Sequence, residues 1–591
     1  MERTLNTEIN LFLPTSPEEL TARGWDYCDV VLVSGDSYID SPFIGAAVIG
    51  RVLEKAGFRV GIIAQPDTTT GSDITRLGEP RLFWGVTGGS VDSMVANYTA
   101  TKKRRKNDDY TPGGENTRRP DRAVITYTNL IRRFYKNTRP IVLGGIEASL
   151  RRVPHYDYWS NSVRRSILFD AKADFILYGM AEKSVVELAS ALAAGSGITN
   201  IKGLSYISHD LPSGDSLELP AYEDIVADKL AFIRMFHDFY QNNDPLTARR
   251  LVQRHGDRYL VQNPPAPYLS QQELDEAAGL PYQRRQHPYY EKQGAVRALE
   301  TIQFSINTHR GCYGECNFCA IAVHEGRTVR WRSIDSIKKE AETLTRHPDF
   351  KGIIQDVGGP TANMYGFECR KKLAKGVCSD KRCLYPVDCS VLKPDHQMQI
   401  KLLKTLRAVS GVKKVFVASG IRYDLIQADG THGRAYLQEI VEHHVSGQLK
   451  VAPEHTEDHI LAKMGKPGRA SLLQFKKDFD LLTAQVGKKQ FLTYYLIAAH
   501  PGCTDEDMRH LKRFASQELH ISPEQVQIFT PTPSTYSSLM YYTEMDPFTL
   551  KPLFVEKDTL RKERQKMIVV EKPANQPGRT FAAGRKNGKK S

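Results

Sequence analysis

The sequence has no apolar run approaching the ~20 residues that cross a bilayer, so no membrane-spanning helix is expected. Met1 to Ser16 lacks a basic segment leading into an apolar core, and no secretory signal is read there. Cysteine is nearly missing outside one stretch: seven of the nine fall between Cys312 and Cys389. The expected compartment is the reducing cytoplasm, where such clustering points to a metal or an iron–sulfur centre and not to disulfides. Hydrophobic residues at 40% and charged residues at 25% exclude a collagen-like, wholly disordered or disulfide-scaffold chain. With 591 residues, two or three domains are expected.

An acidic excess is also lacking, and the net charge is +13. From Lys551 to Ser591 twelve Lys and Arg face four acids, so this stretch alone carries +8. A second basic run, Lys102–Lys106, stands beside Asp108 and Asp109. A solvated tail and loop account for both, and contact with RNA or another polyanion is the competing reading.

The first 200 residues alternate between buried-strand and helix patterns. Val30–Val33 and Arg59–Ile63 flank a helical stretch through Ile44, Ala47, Val48 and Val52, and further strands are expected at Pro140–Leu143 and Asp174–Tyr178. The fold class is α/β, beginning with a doubly wound open sheet. Residues 201–300 lose the rhythm; Asn263–Pro267 is proline-rich, and Ser270 with Glu273 forms a capping-box pattern. They read as a linker with a helical segment. Strands then recur at Ile302–Ile306, Gly352–Val357, Lys414–Ala418, Leu449–Ala452, Gln490–Ile497 and Gln525–Phe529, with helices between them. Six β-α units over 301–557 fit a partial barrel better than a closed eight-fold one. Residues 558–591 read as a basic, largely disordered tail after a last helical stretch near Leu560–Val570.

The chemistry concentrates at Thr308-His309-Arg310-Gly311-Cys312-Tyr313-Gly314-Glu315-Cys316-Asn317-Phe318-Cys319, just past the first barrel strand. Three thiolates within eight residues can wrap one small centre, and three ligands on a tetrahedral centre leave an open, reactive position. Zinc held with His309 or His324 is the competing use, although zinc ligands usually come as two short pairs.

The Cys-x3-Cys-x2-Cys spacing after a strand resembles the radical S-adenosylmethionine superfamily. The resemblance implies a [4Fe-4S] cluster on Cys312, Cys316 and Cys319, with S-adenosyl-L-methionine on the fourth iron. It implies one-electron cleavage to methionine and a 5′-deoxyadenosyl radical that abstracts hydrogen from an unknown substrate. Phe318 matches the position packing by the adenine. Asp356-Val357-Gly358-Gly359-Pro360 matches a Gly-Gly-Glu motif with Pro360 in place of the acid, which leaves the carbonyls of Gly358 and Gly359 for the methionine amino group. Ser419 and Arg422 match positions used on the ribose and carboxylate. Glu454 and His455 are read either as polar contacts or as strand-end packing. Gly502 is read as backbone geometry and Cys503 as inert. A flavodoxin- or ferredoxin-like electron donor is implied, and no membrane partner.

Thr111–Gly114, Arg119–Arg122, the His-Arg-Gly-Cys entry and Ala362–Tyr365 narrow the likeness to the YgiQ family (UPF0313), over roughly residues 25 to 570. The first domain resembles cobalamin-binding domains. In their Asp-x-His-x-x-Gly pattern this chain reads Asp40-Ser41-Pro42-Phe43-Ile44-Gly45. Proline has no lone pair for cobalt, so His-ligated cobalamin is not expected, while binding without a protein ligand stays open. Cys369, Cys378, Cys383 and Cys389, in an insertion at 365–395, are a second candidate metal site. An iron–sulfur cluster, zinc and unligated thiols all remain open there. The rival to an enzyme is a non-catalytic, redox-sensing or RNA-associated iron–sulfur protein.

Overall fold

The computed structural model describes residues 11–570. Strands β1 (Val30–Ser34) and β2 (Val60–Ala64) are buried along their whole length, as continuous apolar runs must be when both sheet faces are covered. β3 (Phe83–Thr87) pairs with β1 on its other side. Its Phe-Trp-Gly-Val-Thr is not a solid apolar run, and Gly85 and Thr87 are only partly buried. β4 (Ile141–Gly144) follows, then a small hairpin of β5 (His155–Asp157) and β6 (Ser162–Arg164), then β7 (Phe175–Leu177). The parallel order β2-β1-β3-β4-β7 switches direction between β1 and β3. Open α/β sheets take ligands at the carboxyl ends beside such a switch.

The linker expected over 201–300 is not a linker in its first part. β8 (Leu204–Ser208), β9 (Ser216–Leu219), β10 (Arg250–His255) and β11 (Arg258–Gln262) extend the same sheet in the order β7-β8-β11-β10-β9. These strands join largely antiparallel, so they alternate polar and apolar side chains in place of solid apolar runs. The helix Lys229–Gln241 further separates them in sequence. Only beyond β11 does the chain run irregularly, with the expected capping box opening Gln271–Ala278.

The second domain starts later than expected. Leu299–Ile302 is a helical turn, and the first strand is β12 (Ile306–Asn307). β13 (His309–Arg310) and β14 (Arg330–Trp331) bracket the cysteine loop as an antiparallel pair. β15 (Ile353–Ile354), β16 (Val357–Gly358), β17 (Lys414–Val415), β18 (Gln448–Glu454), β19 (Phe491–Ala498) and β20 (Gln527–Ile528) follow. β12 pairs with β16 and β15 with β17; a bridge joins Ile421 to Val451, and β18, β19 and β20 lie side by side, all parallel. Six consecutive parallel positions make the partial barrel. Helix Thr559–Val570 caps its end against Asp505–Gln517, and residues 571–591 of the expected disordered tail lie outside the described residues. Phe529, Tyr536, Leu539, Met540 and Tyr541 share one core with Trp84, Val86 and Ile141, so the domains are fused by a common interior.

Candidate functional site

Thr308 ends the first barrel strand, its N–H donating to Gly358 O at 2.8 Å. The chain then turns through Gly311 at φ +83°, where any Cβ would run into Thr328 O. The loop that follows carries Cys312, Cys316 and Cys319, all half-buried. It is clamped from three sides. Glu315 accepts from Tyr240 Oη of the first domain at 3.2 Å and pairs with Arg327 at 3.5 Å. Arg382 Nη1 donates to Glu315 O at 3.1 Å and to Asn317 Oδ1 at 2.7 Å. Asn317 Nδ2 donates to Lys463 O at 2.8 Å.

Burial raises the thiols of Cys312 and Cys319, and the neighbouring Cys316 adds to it. A bound metal reverses that preference by stabilising thiolates. Three thiols on one loop are a donor set that a small metal or iron–sulfur centre accepts. Among the described residues two other groups of ligand atoms close to within 4.8 Å, Asp395/Asp429/His432 and Glu457/His459/Asp507. His309 packs on Gly359, where a Cβ would lie 2.7 Å from its ring, and His309 Nδ1 faces Thr308 Oγ1 at 2.8 Å.

Arg422 stands directly over the loop. Its Nη1 lies 3.6 Å from Cys316 Sγ, while Nε and Nη2 grip Asp424 in a two-pronged pair. Burial opposes the Arg422 charge, but Asp424, Cys316 and Cys312 outweigh it and hold the guanidinium firmly cationic. Asn363 fixes this arginine by exchanging two backbone bonds with it, at 2.8 and 2.9 Å. Behind Asn363, His396 Nε2 lies at 3.2 Å, and His396 Nδ1 meets Asp429 Oδ2 at 2.8 Å. Asp424, His396 and Asp429 carry no motif signal; Asn363 lies in the Ala362–Tyr365 stretch but had no role assigned from sequence.

Ser419 donates its hydroxyl to Asp356 Oδ2, and Asp356 Oδ1 receives the Ala418 N–H at 2.8 Å. Its oxygen remains an acceptor. The Gly358 carbonyl already receives the Thr308 N–H, so only its second lone pair is open to a ligand. Phe318 is half-buried and meets His500 edge-on at 6.5 Å. His500 Nε2 faces Ser537 Oγ at 2.7 Å. Glu454 is buried at φ +70° on the bulge of β18, with Lys466 Nζ 3.9 Å away. Burial raises its carboxyl. His455 is packed against Cys503, Nε2 to Sγ 3.6 Å, and Cys503 is buried with its thiol raised by desolvation. Gly502 adopts φ +93°.

A cavity of about 410 Å³ opens between the carboxyl ends of β1, β3, β4 and β7 and the segment Arg310, His324, Glu325 beside the cysteine loop. Arg310 pairs there with Glu182, and Glu325 accepts the Gly311 N–H at 3.0 Å. His324 Nδ1 and Glu182 Oε2 are buried without hydrogen-bond partners. Pro42 lines its wall. Of the family-marking stretches, Arg119 is structural: fully buried, it pairs with Asp36 at 2.8 Å and Asp108 at 2.9 Å. In the basic loop, Lys103 reaches Glu563 at 3.8 Å, Arg104 reaches Asp121 at 3.5 Å and Arg105 Nε donates to two backbone carbonyls. That run therefore meets its own fold.

Residues 12–305 match the family model described as radical SAM N-terminal, and residues 306–515 match the radical SAM superfamily model. A UPF0313 protein of Fusobacterium nucleatum is 58% identical over 565 residues, covering 95% of this chain and 99% of the relative. One from Thermotoga maritima is 48% identical over 562 residues, covering 94% and 98%. Among solved structures, the cobalamin-dependent S-adenosylmethionine radical enzyme OxsB, with aqua-cobalamin and S-adenosylmethionine bound, has a similar fold. Its TM-score is 0.50 at 13% identity, over 93% of this chain and 58% of that one. The chain belongs to the radical S-adenosylmethionine superfamily and, within it, to the UPF0313 family.

Proposed function

We propose that this chain is a radical S-adenosylmethionine enzyme, with Cys312, Cys316 and Cys319 ligating a [4Fe-4S] cluster. The single observation that carries it is the loop of three free, half-buried thiols set under Arg422 at the strand ends. A cluster held by these three thiols would supply the one-electron reductive cleavage of S-adenosyl-L-methionine to methionine and a 5′-deoxyadenosyl radical able to take hydrogen from substrate. Gly314 keeps the space beside Cys312 open. Arg422 offsets the thiolate charge. Gly358 and Gly359 leave backbone oxygens for the methionine ammonium, and Ser419 offers its hydroxyl oxygen to the ribose. Glu454 and Lys466, 3.9 Å apart, add a polar pair. Phe318 lends an apolar face to the adenine.

The substrate enters the cavity beside Arg310 and His324. Its apolar floor and buried, unpartnered polar atoms suit a molecule with an apolar body and a few hydrogen-bonding groups. His-ligated cobalamin is not part of this reading, because Pro42 offers no lone pair. A flavodoxin- or ferredoxin-like protein supplies the electron.

The test is electron paramagnetic resonance of the reduced, reconstituted protein with and without S-adenosyl-L-methionine. Binding to an open iron shifts the spectrum. An unchanged spectrum contradicts the reading and favours a cluster without an open site.

A further inference from the structure

The insertion between the second and third barrel strands runs from Gly376 to His396 without a helix or strand of its own. Structureless stretches of about that length are uncommon inside compact domains. Its apolar content does not explain its order: Leu384 and Leu392 are buried, but Val387 is 76% exposed and Val391 is 46% exposed. What gathers in its interior is sulfur. Cys369 is buried at the start of helix Arg370–Lys375, and Cys383 and Cys389 pack against the same small core. The Cys389 N–H donates to Cys383 O at 2.9 Å, which brings the two residues together. Lys372 Nζ lies 3.8 Å from Cys383 Sγ and 2.9 Å from Glu368, so a cation is already placed beside the thiol.

This core also contains Tyr313 and touches Cys312. Tyr313 is fully buried. Its hydroxyl has no hydrogen-bond partner. A buried donor without an acceptor is costly, and the sulfur of a bound cluster would supply one.

We infer that Cys369, Cys383 and Cys389, with Cys378 as the fourth thiol of the same insertion, ligate a second iron–sulfur cluster next to the Cys312 loop. Tyr313 lies between the two centres, and Lys372 offsets the thiolate charge. The second cluster also staples the insertion, including Arg382, whose contacts fix Glu315 and Asn317 of the first loop. This inference does not depend on the radical chemistry proposed above.

The test is iron, acid-labile sulfide and zinc per full-length chain after anaerobic reconstitution with iron and sulfide. The wild type is expected to hold about eight irons and eight sulfides, two clusters' worth. A Cys312→Ala/Cys316→Ala/Cys319→Ala variant is expected to lose half of each. A Cys369→Ser/Cys378→Ser/Cys383→Ser/Cys389→Ser variant is expected to lose the other half. Zinc without sulfide in the first variant, or no metal at all, overturns the inference. Should either variant fail to fold by circular dichroism, the wild-type ratio decides: eight irons support a second cluster and four overturn it. Failure of the radical reading would show separately, as two clusters with no spectral response to S-adenosyl-L-methionine.

Discussion

At Gly314 a Cβ would stand 2.9 Å from Arg422 Nη1 and 3.2 Å from Cys312 Sγ, so a side chain there would press on both the guanidinium and the thiol. Gly314→Ala is expected to weaken cluster retention by about 10- to 100-fold, the usual scale for residues that orient metal ligands. Iron per chain under competing chelator measures it. Arg422→Ala leaves Asp424 buried without its cation, and a broken buried pair costs about 3–5 kcal/mol. Urea denaturation of the metal-free chain measures that loss, and adding Asp424→Asn is expected to recover part of it. The three thiols that share this loop were marked in the sequence by their spacing, and Arg422, which stands beside them, by the family resemblance. Asp424, His396 and Asp429 were not. Their roles come from tertiary geometry that sets His396 against Asn363 across 33 residues, and common residue types leave no local pattern.

Among the elements, helix Thr559–Val570 tests how the barrel's open end is closed. Gln565 exchanges bonds with Ala499 N and Cys503 O at 3.0 and 3.1 Å, and Val569 is buried. Truncation after Lys557 is therefore expected to lower the melting temperature markedly, whereas truncation after Val570 breaks none of these contacts. Lys562 sits fully buried between Tyr158 and Tyr541, donating at 3.2 and 2.7 Å. Burial pulls its ammonium down to about 8, with Lys102 adding to the effect. An unfolded lysine titrates near 10.4, so between those values the unfolded chain binds more protons. Stability relative to a Lys562→Met variant should then rise from pH 7 to pH 10, by up to about 3 kcal/mol. Paired denaturation curves at the two pH values measure it. Parallel, fully buried strands such as β1 and β2 were readable as apolar runs. The antiparallel extension β8–β11 was not, because half of its side chains are polar and a helix intervenes. β3, equal in length to β1 and β2, is less apolar and only partly buried at Gly85 and Thr87, so it made no solid apolar run.

Over the whole molecule, the first domain and the barrel share one core, and Tyr240 of the first holds Glu315 of the second. Expressing residues 301–570 alone would expose Phe529, Leu539, Met540 and Tyr541, so that fragment is expected to aggregate while the full chain unfolds in one transition. Calorimetry of the full chain and sedimentation of the fragment check both. The same arrangement sets the cavity of the first sheet against the cysteine loop, where a substrate would meet the radical. The most direct test of that account is 5′-deoxyadenosine and methionine formation by the anaerobically reconstituted, reduced chain given S-adenosyl-L-methionine. The account predicts both products in equal amounts, and neither from Cys312→Ala. Equal turnover by Cys312→Ala, or intact S-adenosyl-L-methionine over a reduced and fully loaded cluster, would contradict it.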